Sequence, residues 1–190
     1  MRNEIVAYLS KYTSISDELI DVITKTTIIN SFKKGTLLLK EGDIPNESYF
    51  ILKGCIRSYI VKEGEEKTID FYTEEQAASP LNFGKNSPSE HYLECIEDTT
   101  VSINTPGHEQ EMFRKYPQFE SVCRIMSEVM LVNYRESLAN YKTTTPEDRY
   151  LSLLKNRPDL VRRVPLYQLS SYIGVKPESL SRIRKRISKK

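Results

Sequence analysis

Histidine and cysteine are scarce in this 190-residue chain: two histidines, His91 and His108, and three cysteines, Cys55, Cys95 and Cys123. The cysteines are odd in number and no two have metal-ligand spacing. That argues against a disulfide scaffold, a zinc ribbon and an iron–sulfur cluster. Two histidines leave little scope for histidine-based metal or triad chemistry, and no metal is expected. No window approaches 18 apolar residues, so neither a transmembrane helix nor a membrane partner is expected. The segment MRNEIVAYLSKYTS lacks an apolar signal-peptide core and carries Glu4 early. The expected location is cytoplasmic. A glycine-rich phosphate loop and a serine elbow are also missing. The acid pairs Glu65-Glu66, Glu74-Glu75 and Glu97-Asp98 are adjacent in sequence, so their side chains point apart and do not form a two-carboxylate site. Neither an enzyme nor a cofactor is expected.

What the chain does contain is an ordinary globular composition, 38% hydrophobic and 28% charged, with the charge unevenly placed. Residues 1–140 hold 15 Lys+Arg against 22 Asp+Glu, a net of −7, whereas residues 141–190 hold 13 against 4, a net of +9. The overall value of +2 therefore hides an acidic body and a basic tail. A polyanion would attract only the tail.

Three kinds of pattern follow one another along the chain. Over residues 4–24, Ile5, Leu9, Ile15, Leu19, Ile20 and Ile23 recur at helical spacing, and Ser16 before Asp17 and Glu18 is a helix start. Over residues 27–106, short β-branched and aromatic runs (TLLLKEGD, SYFILKGCIRSYIV, EEKTIDFY, HYLECIEDTTVSI) are broken at Gly35, Gly42, Gly54, Gly64 and Gly84. This predicts an antiparallel barrel or sandwich. Residues 74–89, with Pro80, Gly84 and Pro88, read as a loop or short helix within it. Residues 109–141 return to helical period, with Pro117 interrupting near the start. Phe119, Val122, Met126, Val129 and Asn133 form a 3,4 stripe, expected to be a parallel dimerisation seam. The competing expectation is that this face packs on the protein's own barrel.

Residues 142–145 are a hinge candidate. Beyond them Thr145 caps a helix that has Pro146 at its first position, Asp148 near the early amides, and Tyr150, Leu151 and Leu154 as its apolar face. The end of the chain, PLYQLSSYIGVKPESLSRIRKRI, carries the most specific signal. A helix over Leu166–Ile173 ends at Gly174, and Pro177 begins a second. Leu169, Ile173, Val175, Leu180 and Ile183 can close one small core, while Glu178, Ser179, Ser181, Arg182, Lys185 and Arg186 take the other face. This is a helix-turn-helix pattern with a basic reading face.

Taken in order, LLKEGDIPNESYFILKGCIRSYIV, the long helix and the terminal motif resemble the cyclic-nucleotide-type regulators of bacteria, the CRP/FNR family. The resemblance covers nearly the whole chain. It implies an α+β fold with an N-terminal antiparallel β-roll of the jelly-roll type as sensor (1–108), a central dimerisation helix (109–141) and a C-terminal helix-turn-helix DNA-binding domain (142–190). Gly42-Asp43 and Leu52-Lys53-Gly54 look like the family's turn glycines. The implied function is DNA-binding transcription regulation, with double-stranded DNA and a second copy of the chain as partners. RNA polymerase and a small-molecule effector are further candidates. A small-molecule-binding module without a DNA role is the alternative.

The sensor departs from the cyclic-nucleotide members. By the resemblance, Ser79 stands where their ribose-binding Glu is expected and Ser89 where their phosphate-binding Arg is expected. No arginine lies between Arg57 and Arg114, and Lys85 lacks an arginine's planar fork. Ser79, Asn82, Lys85 and Ser89 remain the candidate effector pocket, with cyclic AMP disfavoured. In the output domain, the resemblance places Arg182 on a guanine edge and Glu178 on a cytosine amine. Pro177 replaces a further reading arginine. Ser170, Ser179, Ser181, Lys185, Arg186 and Lys189 are expected backbone contacts, with Tyr167 a weaker candidate. A wing after the recognition helix is either missing or replaced by strands near residues 160–164.

Overall fold

Apolar residues at helical spacing build α1 (Glu4–Leu9) and α2 (Asp17–Thr26), and Ser16 caps α2 by accepting the Leu19 amide. The structure, a computed structural model, describes residues 4–188; the expected contact Lys189 lies outside them. The strands that follow are β1 (Ile28–Phe32), β2 (Leu37–Leu39), β3 (Ser48–Lys53), β4 (Ile56–Lys62), β5 (Glu65–Tyr72), β6 (Ala77–Ala78), β7 (Tyr92–Cys95) and β8 (Thr99–Asn104). They form two four-stranded sheets, β1-β8-β3-β6 and β2-β7-β4-β5, with every pairing antiparallel. The inward-facing Leu39, Tyr49, Ile51, Ile56, Leu93, Cys95, Val101 and Ile103 make the core of the roll. Strand β1, four of whose five residues are exposed, was not among the runs singled out by sequence.

A buried arginine sits in this domain. Arg57 on β4 is 1% exposed, donates to Thr68 Oγ1 (2.9 Å) and Glu66 Oε2 (2.5 Å), and lies 4.4 Å from the Tyr59 ring centroid. Tyr59 in turn stacks on Tyr92. The charge is tolerated because each side of the guanidinium meets a carboxylate, a hydroxyl or an aromatic face.

The central segment divides at Tyr116 into α3 (Pro106–Lys115) and α4 (Pro117–Thr143), since Pro117 has no amide with which to continue α3. The start of α4 corrects the expected dimer stripe. Val122 is fully buried, and Phe119 and Met126 pack with it against Val6, Leu9, Leu19 and Ile23 of α1 and α2. Those short amphipathic helices need an apolar partner, and α4 supplies it within the same chain. Val129 and Asn133, at the other end of the stripe, are exposed.

The last unit comprises α5 (Pro146–Asn156), α6 (Pro158–Arg163), α7 (Leu166–Ile173) and α8 (Pro177–Ile187). Thr145 and Asp148 form a capping box on α5. The inward residues of α5 are Tyr150 and Leu153, whereas Leu151 and Leu154 are exposed, so the expected apolar face is rotated by about one residue. Residues 160–164 are not a strand: α6 runs to Arg163, and Leu160 and Val164 enter the core.

This unit does not float on its linker. Its core of Tyr150, Leu153, Leu160, Leu169, Ile173, Leu180 and Ile183 is continuous with Cys55, Phe71 and Ile96 of the roll. Tyr172 meets Phe71 edge-on. The Thr68 amide donates to Ser171 Oγ (2.9 Å), which donates to the Glu66 carbonyl (3.3 Å). At the end of α6, Arg163 donates to Glu74, to Glu97 and to the Gly54 carbonyl.

Desolvation works against ionisation of Glu74, but bonds from Arg163 and the Gly54 amide outweigh it and bring the carboxyl from an ordinary 4.5 to about 2. A carboxyl depressed in the folded state stabilises fully above its unfolded value and loses that contribution as pH falls through the folded one. The melting temperatures of wild type and Glu74→Gln are therefore expected to converge as pH drops from about 4.5 toward about 2. The side chain is 41% exposed, so solvent screening keeps the difference small. A gap that stays constant over this window would contradict the assignment.

Candidate nucleic-acid interface

Gly174 makes the turn between α7 and α8 possible. It lies at φ +77°, in the left-handed region where a side chain is strained, and its amide closes α7 on the Ser170 and Ser171 carbonyls. Pro177 then opens α8, where a missing amide costs nothing. Leu180 and Ile183 are buried against Leu169 and Ile173, which fixes the opposite face of α8 outward. Glu178, Arg182 and Lys185, one turn apart in succession, are all exposed on that face, as is Ser181. Arg182 makes one long contact, to Ser179 Oγ at 3.4 Å. The row therefore presents one carboxylate and two cations to solvent from a rigid helix.

Two expected contacts are placed differently. Ser170 is 1% exposed and its hydroxyl donates to the Tyr167 carbonyl at 2.8 Å, so it has no access to a phosphate. Arg186 is ion-paired with Glu147 of α5, and its guanidinium is engaged within the unit. Three further exposed cations belong to none of the expected contacts: Lys176 at the start of α8, Arg184 within it, and Arg162 on α6. The net charge of the tail is the sequence signal that includes them: Arg162 precedes the two-helix motif, Lys176 is in its turn, and Arg184 lies on α8 but off the outward row. Tyr167, 58% exposed, stands at the start of α7.

Arg149 holds the unit to the central helix. Its Nη1 donates to the Tyr141 and Thr144 carbonyls (3.1 and 2.7 Å), its Nε to the Ile173 carbonyl (3.0 Å), and its guanidinium lies 4.5 Å from the Tyr141 ring centroid. One cation thus satisfies the free carbonyls at the ends of both α4 and α7.

The four candidate effector residues are differently placed. Ser79 and Lys85 are exposed, and Asn82 donates to the Pro88 carbonyl. Ser89 is 6% exposed, with its hydroxyl bonded to the His91 backbone. Two surface cavities, of about 450 and 210 Å³, lie at the β2–β3 loop and between α2 and α3, and none of the four residues lines either. Burial pushes the Cys55 thiol up to about 12 and the Cys95 thiol to about 11, so neither is a reactive thiolate at neutral pH. Among the described residues no group of three or more His, Cys, Asp and Glu could hold a metal ion, and no helix is long and apolar enough to cross a membrane.

Residues 29–116 match the family model of the cyclic nucleotide-binding domain. No curated protein sequence matches the chain. Among solved structures, it is similar to the c-di-GMP-responsive global regulator CLP of Xanthomonas campestris, with a TM-score of 0.70 at 14% identity over 91% of this chain and 92% of that one. FixK2 of Bradyrhizobium japonicum aligns with a TM-score of 0.67 at 17% identity, over 86% of this chain and 85% of its own. The catabolite activator protein of Thermus thermophilus gives 0.55 at 16% identity, over 96% and 87%. Residues 29–116 thus carry the pattern of the cyclic nucleotide-binding domain family, in a chain folded throughout like the catabolite activator protein and its structural relatives.

Proposed function

We propose that this protein is a homodimeric, sequence-specific DNA-binding transcription regulator of the CRP/FNR type, whose β-roll serves as a sensor with an effector still open. The observation that carries the reading is the outward row of Glu178, Arg182 and Lys185 on the second helix of a two-helix motif closed by a left-handed glycine. Glu178 and Arg182 address base edges. Ser179, Ser181, Lys185 and Lys189 set register on phosphates, joined by Arg162, Lys176 and Arg184. RNA polymerase is the further protein partner such a regulator implies. Ser79, Asn82, Lys85 and Ser89 offer a cyclic phosphate no arginine, which disfavours cyclic AMP. The direct test is duplex binding by fluorescence anisotropy on genomic fragments across a salt series. Neutralised phosphates release counterions, so affinity falls steeply with salt. Binding that is weak and flat in salt would favour a sensor module without a DNA role.

Self-association rests on the second half of α4. Leu131, Tyr134, Leu138 and Tyr141 recur at 3,4,3 spacing and are 51%, 62%, 43% and 49% exposed. An apolar seam of this spacing is a coiled-coil surface, and a second copy in parallel would cover it. Leu131→Glu together with Leu138→Glu is expected to give a monomer by analytical ultracentrifugation, with DNA affinity reduced in parallel. A wild type that sediments as a monomer at tens of micromolar would defeat the seam.

A further inference from the structure

Arg163 lies outside the two-helix motif and belongs to no expected DNA contact, yet it has the densest set of polar partners in the last unit. Its Nη1 donates to Glu74 Oε2 (2.8 Å) and its Nε to Glu97 Oε1 (3.1 Å). Its Nη2 donates to the Gly54 carbonyl (2.7 Å) and Glu74 Oε1 (2.9 Å), and also contacts Glu97. These partners come from three separate connections of the roll: the β3–β4 turn, the β5–β6 loop and the β7–β8 turn. The junction is itself tied together, since the Gly54 amide donates to Glu74 Oε1 (2.8 Å) and the Cys55 amide donates to Thr99 Oγ1 (3.3 Å). Arg157 adds a parallel tie to Thr73 Oγ1 (2.9 Å). A guanidinium shared by two carboxylates and a carbonyl fixes direction as well as distance, which a single point charge would not.

We propose that Arg163 is a positioning residue for DNA reading: it sets the angle at which α8 stands on the β-roll, so that a dimer presents two reading helices already spaced for one operator. The proposal rests on the DNA-binding reading above. The chain between α4 and α5 is only Thr144 and Thr145, and the Arg149 clamp holds just one end of the unit. With Arg163 cut, the apolar contact through Phe71 and Tyr172 and the Arg157 tie still hold the unit on the roll, but the fork that fixes its angle is gone and the unit can rock on that contact. Two half-sites are read together only if their helices sit about 34–36 Å apart, one helical turn of DNA. Freedom to turn lowers the effective concentration of the second helix at the second half-site and leaves contact with a single half-site untouched.

The test compares wild type, Arg163→Gln and Glu74→Gln on a palindromic duplex and on a duplex with one half-site. Each variant is expected to bind the palindrome about 10-fold more weakly, with a change below about twofold on the single half-site. The Arg163→Gln/Glu74→Gln double variant should be no worse than Arg163→Gln alone, because both break one junction. Both carboxylates are partly exposed, at 41% and 33%, so removing the arginine does not strand a buried charge. Equal losses on the two duplexes, or none on the palindrome, would overturn the proposal. Hydrogen exchange without DNA supplies the independent arm. The Thr68 amide donates across the junction to Ser171 Oγ, and its protection should drop in Arg163→Gln. Unchanged protection would overturn the lock itself. Failure of wild type to bind any duplex would instead remove the DNA reading, with the Thr68 result still deciding whether the junction is a lock.

Discussion

Replacing Arg182 by alanine is expected to cost roughly 1–3 kcal/mol per half-site on the true operator, and so about 2–6 kcal/mol for a dimer on two half-sites. That is a loss of some 30-fold to more than 10⁴-fold in affinity at about 1.4 kcal/mol per decade. The effect is large because a guanidinium can engage both acceptors of a guanine edge, and the second fork one turn further along α8, Arg186, is ion-paired with Glu147. Glu178 is a carboxylate and Lys185 a point charge. On random duplex the loss should be much smaller, since only a phosphate attraction disappears. Lys185→Ala should behave in the opposite way, weakening operator and random duplex alike and flattening the salt slope. Stability should not change, because Arg182 is exposed and its one contact is a long hydrogen bond to Ser179. Equal losses on operator and random DNA for Arg182→Ala would make it a backbone contact and move the reading row elsewhere on the helix.

Gly54→Ala is expected to be the most damaging single substitution to the fold. Gly54 lies at φ +108°, and an added Cβ would stand 2.5 Å from Thr99 Oγ1 and 2.6 Å from the Thr99 Cα. The second of these atoms is backbone, so no rotamer change relieves it. Strain at such a φ costs about 1–3 kcal/mol. Overpacking a tight core adds about 1–3 kcal/mol. The sum, roughly 2–6 kcal/mol, is a large share of a typical stability of about 5–15 kcal/mol. The turn also supplies the carbonyl that accepts from Arg163, so the domain junction should loosen with it. Gly42→Ala is the internal control: Gly42 lies at φ +88° with nothing within 4 Å of the added carbon, and should pay only the backbone term. Guanidinium unfolding midpoints measure both. Similar midpoints for the two variants would show that the Thr99 approach does not matter.

The legible parts of this protein were those set by local rules. Short β-branched and aromatic runs broken by glycines predict an antiparallel barrel or sandwich, because a strand exposes a period of two wherever one face is buried; the roll itself is what the family resemblance implies. Gly174 and Pro177 marked the turn and the second helix start, because positive φ and a missing amide are each tolerated at only a few positions. From there the outward row of Glu178, Arg182 and Lys185 follows by helical arithmetic, and Leu180 and Ile183 are buried as that arithmetic requires. Strand β1 is not legible as a strand because, at the sheet edge and exposed at four of five positions, it carries no apolar alternation.

The failures share a cause, which is that an apolar stripe says that a face is covered and not by what. Phe119, Val122 and Met126 were read as a seam between copies, and the chain's own α1 and α2 cover them. Leu131, Tyr134, Leu138 and Tyr141 carry the same spacing further along α4 and stay 43–62% exposed, Tyr141 with the Arg149 guanidinium against its ring. Ser170 sits in the right motif but faces inward, a matter of one helical step. By itself the sequence determined the order of antiparallel strands, long helix and two-helix motif, together with the outward row on the last helix, since periodicity and turn chemistry act over a few residues. Only the tertiary structure decided where α4 is free, which serines are buried, and that Arg163 meets Glu74, Glu97 and Gly54. Those contacts join residues 66 to 109 positions apart, and no local spacing encodes such a meeting.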